Sequence, residues 1–170
     1  AIRPPRLVII MIKAGDPVDQ QIKMLRGLLS RNDIIIDAGN ANFRDTQRRF
    51  AELESSGLTY IGMGVSGGEE GARHGPSIMV GGKKSSWKRV EDVLLAISAK
   101  YKDQPCAAWL GENGAGHFVK TIHNGIEYAD MQMIAEIYGL LRDGAGMSAA
   151  EIGVAFEQWN KGRLNSYLIE

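Results

Sequence analysis

Short runs of β-branched residues alternate with amphipathic helical patterns along the first part of the chain. LVIIMI at 7–12 predicts a buried strand, and Asp16 marks the start of a helix after it. DIIID at 33–37 and LTYIGM at 58–63 predict two more strands, with a helix over 46–53 between them. Alternation of this kind is typical of a largely parallel sheet covered by helices.

Two further strands are possible, at PSIMVGG (76–82) and at CAAWLG (106–111). A helix between them is indicated by apolar residues at helical spacing. These residues are Val90, Val93, Leu94 and Ile97.

The character of the sequence changes after GENGAG, because one long helical pattern then runs from 115 to 143. Ser148 and Glu151 have the spacing of a capping box, which predicts the start of a second helix. The tail RLNSYLIE is still amphipathic where the chain ends. We therefore expect an α/β part over 1–113 and the start of a helical part over 114–170. The lack of an initial Met suggests a piece of something longer.

Composition narrows the classes of partner. The formal net charge is zero and 24% of the residues are charged, so nothing indicates nucleic acid or a membrane surface. We expect the basic cluster Arg44, Arg48 and Arg49 to be a solvated helix face. The single cysteine, Cys106, excludes an internal disulfide and fits a reducing compartment such as the cytoplasm.

The segment YIGMGVSGGEEGARHG contains Gly62-x-Gly64-x-x-Gly67 directly after a predicted strand. A dinucleotide fingerprint would continue into a long helix and place an acidic residue about 20 positions later. Here Gly71, Gly75 and Pro76 interrupt any such helix, and no acidic residue ends a following strand. We therefore reject the fingerprint interpretation for these glycines.

Three small-residue loops follow predicted strands, with Lys13, Asn40 and Ser66 as their polar residues. Ligands of open α/β sheets bind beyond the carboxyl ends of the strands. Small residues let phosphate or carboxylate oxygens approach backbone N–H groups closely. Any one of these loops is more simply a tight turn, but the three together favour a site.

The long helical pattern carries polar residues on one side. Lys120 and Glu127 differ by only about 20° around a helix, and His123 and Asn124 fall between them. Gly125 is costly inside a helix, and a closely approaching ligand or backbone would explain it. The alternative is an exposed polar stripe with no function.

A lysine and a carboxylate on one helix face can serve as base and acid. A partly desolvated Lys120 could accept a proton from a substrate hydroxyl, and Glu127 could donate one to a carbon. We expect no metal site, because His117 and His123 are six positions apart and no paired cysteines accompany them.

Three segments resemble the 6-phosphogluconate dehydrogenase family of the β-hydroxyacid dehydrogenase superfamily: KAG…DIIIDAGNANFRDTQRR, GVSGGEEGARHGPSIMVGG and GAGHFVKTIHNGIEYADMQ. The resemblance extends in order to FEQWNKGRLNSYLIE. HNGIEY is its most specific part, since other superfamily members usually lack it. The fold implied is α/β, a partial Rossmann-like, mostly parallel sheet followed by the start of an all-α domain.

The resemblance also implies residue roles. Lys120 would be the base on the C3 hydroxyl while hydride passes to NADP+, and Glu127 would protonate the enol left after loss of CO2. The substrate 6-phosphogluconate would be bound by Asn40, Ser66, Gly67, Gly68, His123, Asn124 and Tyr128. The cofactor would be bound by Ile12, Lys13, Ala14 and Asn40.

The chain departs from the family pattern in several places. Ala38 and Val80 stand where the family usually has Gly and Pro, and Ala38 is harmless only if its φ is negative. The family's N-terminal fingerprint and most of its helical domain are not in this sequence. We therefore expect residues 1–170 alone to be inactive.

Two alternatives stay open. One is a β-hydroxyacid dehydrogenase that does not decarboxylate, against which HNGIEY weighs. The other is a non-catalytic sugar-phosphate-binding module, against which the presence of both Lys120 and Glu127 weighs. The resemblance further implies a homodimer for the full-length enzyme.

Overall fold

The computed structural model describes residues 2–170, and its elements follow the alternation expected from the sequence. The strands are β1 (Leu7–Ile10), β2 (Ile34–Asp37), β3 (Thr59–Ser66), β4 (Ser77–Gly81), β5 (Lys100–Tyr101), β6 (Gln104–Pro105) and β7 (Ala107–Gly111). The helices are α1 (Asp16–Arg26), α2 (Phe43–Glu54), α3 (Gly68–His74), α4 (Lys84–Trp87), α5 (Glu91–Ile97), α6 (Ala115–Gly139) and α7 (Ala149–Asn160).

The main sheet has five strands in the order β1-β2-β3-β4-β7. β1, β2 and β3 are parallel neighbours, and β4 is parallel to β7. The pair β3–β4 is antiparallel, with Ser66 opposite Ser77. Its connection, 67–76, is shorter than the dozen or so residues that a parallel crossover requires. The expected α/β fold with a mostly parallel sheet is confirmed, with one antiparallel pair that the sequence pattern did not indicate.

Side chains that alternate along the strands build two apolar layers, one on each face of the sheet. In β2, Ile34 and Ile36 pack with Trp87, Val90 and Leu94. The intervening Ile35 points to the opposite face. There it packs with residues of α1 and α2, which include Val18, Ile22, Leu25 and Leu53.

The helical segment differs from expectation at two points. The pattern predicted as one helix over 115–143 ends as α-helix at Gly139 and continues as a π-helical turn, Leu140–Gly144. The tail after α7 forms turns rather than a helix. There the Asn160 side chain accepts a hydrogen bond from the Ser166 backbone N–H at 2.8 Å, a local bond that replaces the helical pattern.

Contacts divide the chain into two compact units, one ending at Ile122 and the other spanning His123–Glu170. The first turns of α6 pack within the sheet-containing unit, which is why that unit extends past the start of the helix. Among residues 2–170 there is no helix with the length and apolar character needed to cross a membrane.

The expectation of a solvated basic face on α2 is wrong for Arg49, which is 1% exposed. Its guanidinium donates to Asp19 on α1 at 2.8 and 2.9 Å and to the Gly15 carbonyl at 3.0 Å. Arg48 binds the same carboxylate from the solvent side. The spacing of the basic residues in the sequence does not show that Arg49 is buried and Arg48 is not, because burial depends on which side of α2 meets α1.

A buried acid, Asp33, connects the N-terminal segment to the start of β2. Its carboxylate accepts from the backbone N–H groups of Arg6 at 2.6 Å and Ser30 at 2.9 Å, and from the Arg6 guanidinium at 2.9 Å. The Ser30 and Arg6 backbone donors, followed by the Arg6 charge, lower the pKa of Asp33 below its ordinary value of 3.8.

We expect Asp33→Asn to lower the urea midpoint of unfolding at pH 7. Because the pKa of Asp33 is lower in the folded protein than in the unfolded chain, the Asp33 carboxylate stabilises the fold at pH values above the unfolded-state pKa. That stabilisation is lost as the pH falls through the folded-state pKa. The difference between wild type and variant should therefore shrink below pH 3.8. Asp103→Asn, in the exposed β5–β6 turn, is the matched control. An unchanged difference at all pH values would contradict this assignment.

Candidate active site

The loops that follow β1 and β2 meet at one edge of the sheet, because the carboxyl ends of parallel neighbours lie on the same side. The Ala38 N–H donates to the Ile10 carbonyl at 2.8 Å. A Cβ placed on Gly39 would lie 2.9 Å from the Ile12 carbonyl oxygen, so the two loops approach as closely as glycine allows.

The residues predicted to hold the cofactor lie on these loops. Ile12 and Lys13 are exposed after the end of β1, Ala14 is half-buried, and Asn40 is exposed after β2. Ala38 is buried, and it is not among the described non-glycine residues with positive φ. The substitution of Ala for the family's Gly is therefore sterically tolerated here.

The predicted substrate loop begins where β3 ends at Ser66. Gly67 has φ 138° and Gly68 has φ 55°, which is backbone that side chains with a Cβ rarely adopt. The chain can therefore turn sharply into α3 after Ser66. This conformation explains both glycines and supports the rejection of the dinucleotide fingerprint, since α3 has only seven residues.

The start of α6 lies directly on β3 through three glycines, and we call this the β3–α6 contact (Gly62, Gly64 and Gly116). A Cβ on Gly116 would lie 2.5 Å from the Gly62 carbonyl oxygen. A Cβ on Gly64 would lie 2.6 Å from the Lys120 Cβ and 2.9 Å from the Gly116 carbonyl oxygen. All three distances are below van der Waals contact, so the helix can lie this close only because side chains are absent at these positions.

Lys120 is consequently buried, with 9% exposure, against Gly64 of β3. The strand ends two residues after that glycine, at Ser66. Burial of a lysine stem keeps its amino group within reach of the strand-end loops and partly away from water. The structure thus places Lys120 beside β3, the strand that leads into the predicted substrate loop.

The next turns of α6 carry the other predicted site residues, in the second compact unit. His123 Nδ1 lies 3.3 Å from Asn124 Oδ1 and 3.6 Å from a Glu127 carboxylate oxygen. Tyr128 is exposed. No described protein atom lies within 4 Å of a Cβ placed on Gly125, so an approaching backbone does not explain that glycine.

Sequence analysis missed a buried polar cluster beneath the strand-end edge. Asp37, fully buried at the end of β2, accepts from the Tyr60 hydroxyl at 2.9 Å and from the Gly39 N–H at 3.1 Å. Arg49 lies 3.6 Å from the same carboxylate. The sequence signal that could have indicated this cluster is Asp37 itself, an acid that directly follows the isoleucine run of β2. Within residues 2–170, no three His, Cys, Asp or Glu side chains converge as metal ligands would.

The fold and site together define a Rossmann-like α/β unit followed by a helix that carries a buried lysine. Two family models match the chain. The NAD binding domain of 6-phosphogluconate dehydrogenase matches residues 1–111, and the C-terminal domain of 6-phosphogluconate dehydrogenase matches residues 116–170. The chain therefore belongs to the 6-phosphogluconate dehydrogenase family.

Similar proteins agree with this family. The chain is 52% identical to the decarboxylating 6-phosphogluconate dehydrogenase of Mus musculus and 51% identical to that of Schizosaccharomyces pombe. Each comparison covers 99% of this chain but only 35% of the relative. The chain thus spans about a third of the length of the relatives it matches.

Two solved structures share the fold. Plasmodium falciparum 6-phosphogluconate dehydrogenase, described in apo form and in complexes with NADP+ and with 6-phosphogluconate, is similar with a TM-score of 0.93 and 41% identity, over 99% of this chain and 36% of that chain. Mycobacterium tuberculosis 3-hydroxyisobutyrate dehydrogenase is similar with a TM-score of 0.78 and 25% identity, over 96% and 53%.

We expect Gly64→Ala to destabilise the protein by about 1–3 kcal/mol, because the added methyl must displace Lys120 or the α6 backbone. Gly125→Ala is the control, since its methyl meets open space within a helix and should stabilise by up to about 1 kcal/mol. Urea denaturation of both variants measures the two changes. Equal stability of Gly64→Ala and wild type would show that the β3–α6 contact is not tight.

Proposed function

We propose that this chain is part of an NADP-dependent oxidoreductase that converts 6-phosphogluconate to ribulose 5-phosphate and CO2, a step of the pentose phosphate pathway and of gluconate utilization. The observation that carries the proposal is the burial of Lys120 by the β3–α6 contact, next to the strand that leads into the substrate loop. The helix that holds Lys120 continues directly into HNGIEY, the segment typical of the decarboxylating family.

The paired loops after β1 and β2 suit the cofactor. Ile12, Lys13 and Ala14 would line one side of NADP+, and Asn40 would lie between cofactor and substrate. Gly39 supports this arrangement, because it lets the loops approach one another without a side chain. Bound NADP+ supplies the hydride acceptor for C3 of the substrate.

Two segments of the chain would contribute substrate-binding residues. Ser66, Gly67 and Gly68 offer a hydroxyl and unhindered backbone on the loop after β3, and Asn40 offers an amide. His123, Asn124 and Tyr128 on α6 would supply further polar groups. Support comes from Gly68, where no described atom lies within 4 Å of a placed Cβ, so that a ligand can approach the backbone closely.

In this proposal Lys120 accepts the proton of the C3 hydroxyl as the C3–H bond breaks and C3 becomes a ketone. The ketone then withdraws the electron pair of the C1–C2 bond as the carboxylate leaves as CO2. Lys120 returns its proton to the C3 oxygen, which gives an enediol. Glu127 protonates C2, the carbon that becomes C1 of ribulose 5-phosphate, while Lys120 takes back the proton of the C3 hydroxyl and the ketone forms.

A second candidate is a hydroxyacid dehydrogenase that oxidises without loss of CO2. The similarity to 3-hydroxyisobutyrate dehydrogenase favours it, because that protein shares the fold over 96% of this chain. The higher identity to proteins named as decarboxylating, about 50%, and the HNGIEY segment favour the first proposal.

We further propose that residues 1–113 belong to the NADP-binding domain and 114–170 to the helical catalytic and dimerisation domain of a homodimeric cytoplasmic enzyme. The two family matches, which end at 111 and begin at 116, support this division. The single cysteine is consistent with a reducing compartment.

The test is to incubate the longest natural form of the protein with 6-phosphogluconate and NADP+, and to measure NADPH and CO2 together. We expect equal amounts, because oxidation at C3 makes the carboxylate a leaving group. NADPH without CO2 would select the second candidate. Binding of 6-phosphogluconate without either product would select a non-catalytic module.

Lys120→Met should lower the production of both NADPH and CO2 by about 10²–10⁴-fold, the range typical of a lost general base. Lys23→Met on exposed α1 is the control. Full activity of Lys120→Met would refute the base assignment.

Glu127→Gln should affect the last step, the protonation of C2. Ribulose 5-phosphate formed in D2O should carry deuterium in one orientation at C1 with wild type, and in both orientations with the variant.

A further inference from the structure

A buried hydrogen bond joins two helices that lie on the same side of β3. Thr46 Oγ1 on α2 and His117 Nδ1 on α6 are 2.7 Å apart, and the two residues are separated by 71 positions in the sequence. Thr46 is fully buried and His117 is 1% exposed. None of the roles assigned above uses either residue.

The bond lies over Gly62 of β3. A Cβ on Gly62 would collide with the Thr46 Cγ2 and would lie 2.9 Å from His117 Nδ1. Strand β3 therefore makes room for the pair in the same way that it makes room for Lys120. The result is a junction of α2, β3 and α6 in which both polar side chains are shielded from water.

The environment of the His117 ring disfavours its charged form. Burial lowers its pKa and outweighs the opposite effects of Asp37 and of the Gly39 and Met63 backbones beside the ring. Nδ1 bonds to Thr46, while Nε2 meets no described partner in good hydrogen-bond geometry. The Thr46 bond is therefore a directional contact on Nδ1 of the ring.

Each end of this bond leads to a predicted site residue. Thr46 Oγ1 also lies 3.3 Å from the Asn42 carbonyl, and Asn42 caps α2 two residues after Asn40. His117 is one helical turn before Lys120 on α6. The path from the Asn40 loop to the Lys120 helix is thus a short series of contacts within one compact unit, and its central bond is buried.

We propose that the Thr46–His117 hydrogen bond holds the Lys120 helix in place against the loop that carries Asn40. Thr46 and His117 are then positioning residues that act through Asn40 and Lys120 without touching substrate. The effect that we expect on turnover rests on the function proposed above. The structural coupling itself does not require that function, because it concerns two protein segments.

The test compares Thr46→Val, which keeps the shape but removes the hydroxyl, with Thr46→Ser, which keeps the hydroxyl. In the longest natural form of the protein, we expect Thr46→Val to lower kcat by about 10–10²-fold, because small misplacements of reacting groups have effects of this size. KM for 6-phosphogluconate should change little. Thr46→Ser should stay within about threefold of wild type in kcat, although its lost methyl costs stability.

Hydrogen exchange supplies a readout that does not need activity. We expect Thr46→Val, and not Thr46→Ser, to speed exchange of the amides at 39–42 and at 118–121 by a similar factor, since both segments would open together. His117→Asn, whose amide can reach near the Nδ1 position, should restore more protection than His117→Leu.

The outcomes separate the two proposals. A wild-type protein that shows no turnover, but shows joint loss of protection in Thr46→Val, would refute the proposed function and support the coupling. Equal kcat in the Val and Ser variants of an active enzyme would overturn the positioning role. Loss of protection in only one of the two segments would overturn it as well.

Discussion

The close approach of α6 to β3 is the constraint on which the candidate site depends. Three glycines create it, and at Gly64 a single methyl would have to occupy space already filled by the Lys120 stem. Since packed interiors tolerate little added volume, the helix has one depth at which it can lie. That depth determines both the burial of Lys120 and its closeness to the strand that ends at Ser66.

Buried polar groups add direction to this contact. Glycines allow a close approach but do not fix the rotation or register of a helix, whereas hydrogen bonds do. The Thr46–His117 bond, together with Asp37 and Arg49 beneath the same edge, provides directional contacts among buried side chains. Apolar packing thus sets the depth of α6, and the polar cluster sets its orientation relative to the loops.

Much of this arrangement could be predicted from the sequence. The strands β1, β2 and β3 are runs of isoleucine, valine and other apolar residues long enough to be recognised, and the Ser148–Glu151 capping box is present as expected. The position of Lys120 on a helix followed from its spacing to His123 and Glu127. These are local signals, because they depend on residues within a few positions of one another.

The remaining features depend on contacts between distant residues. The antiparallel β3–β4 pair follows from the length of a connection, and the burial of Arg49 follows from which side of α2 meets α1. His117 looked like an isolated histidine, because its partner is 71 positions away. The fingerprint interpretation of Gly62 and Gly64 could be rejected from the sequence, but the helix that they admit, which begins at Ala115, could not be foreseen.

The most direct test of this account is a structure of the longest natural form of the protein with 6-phosphogluconate bound. The account predicts that Lys120 Nζ lies within about 2.6–3.2 Å of the C3 hydroxyl, the distance that proton transfer needs. Ser66 and Asn40 should contact the same ligand. A ligand bound with its C3 hydroxyl far from Lys120, or with its phosphate against that lysine, would contradict the assignment.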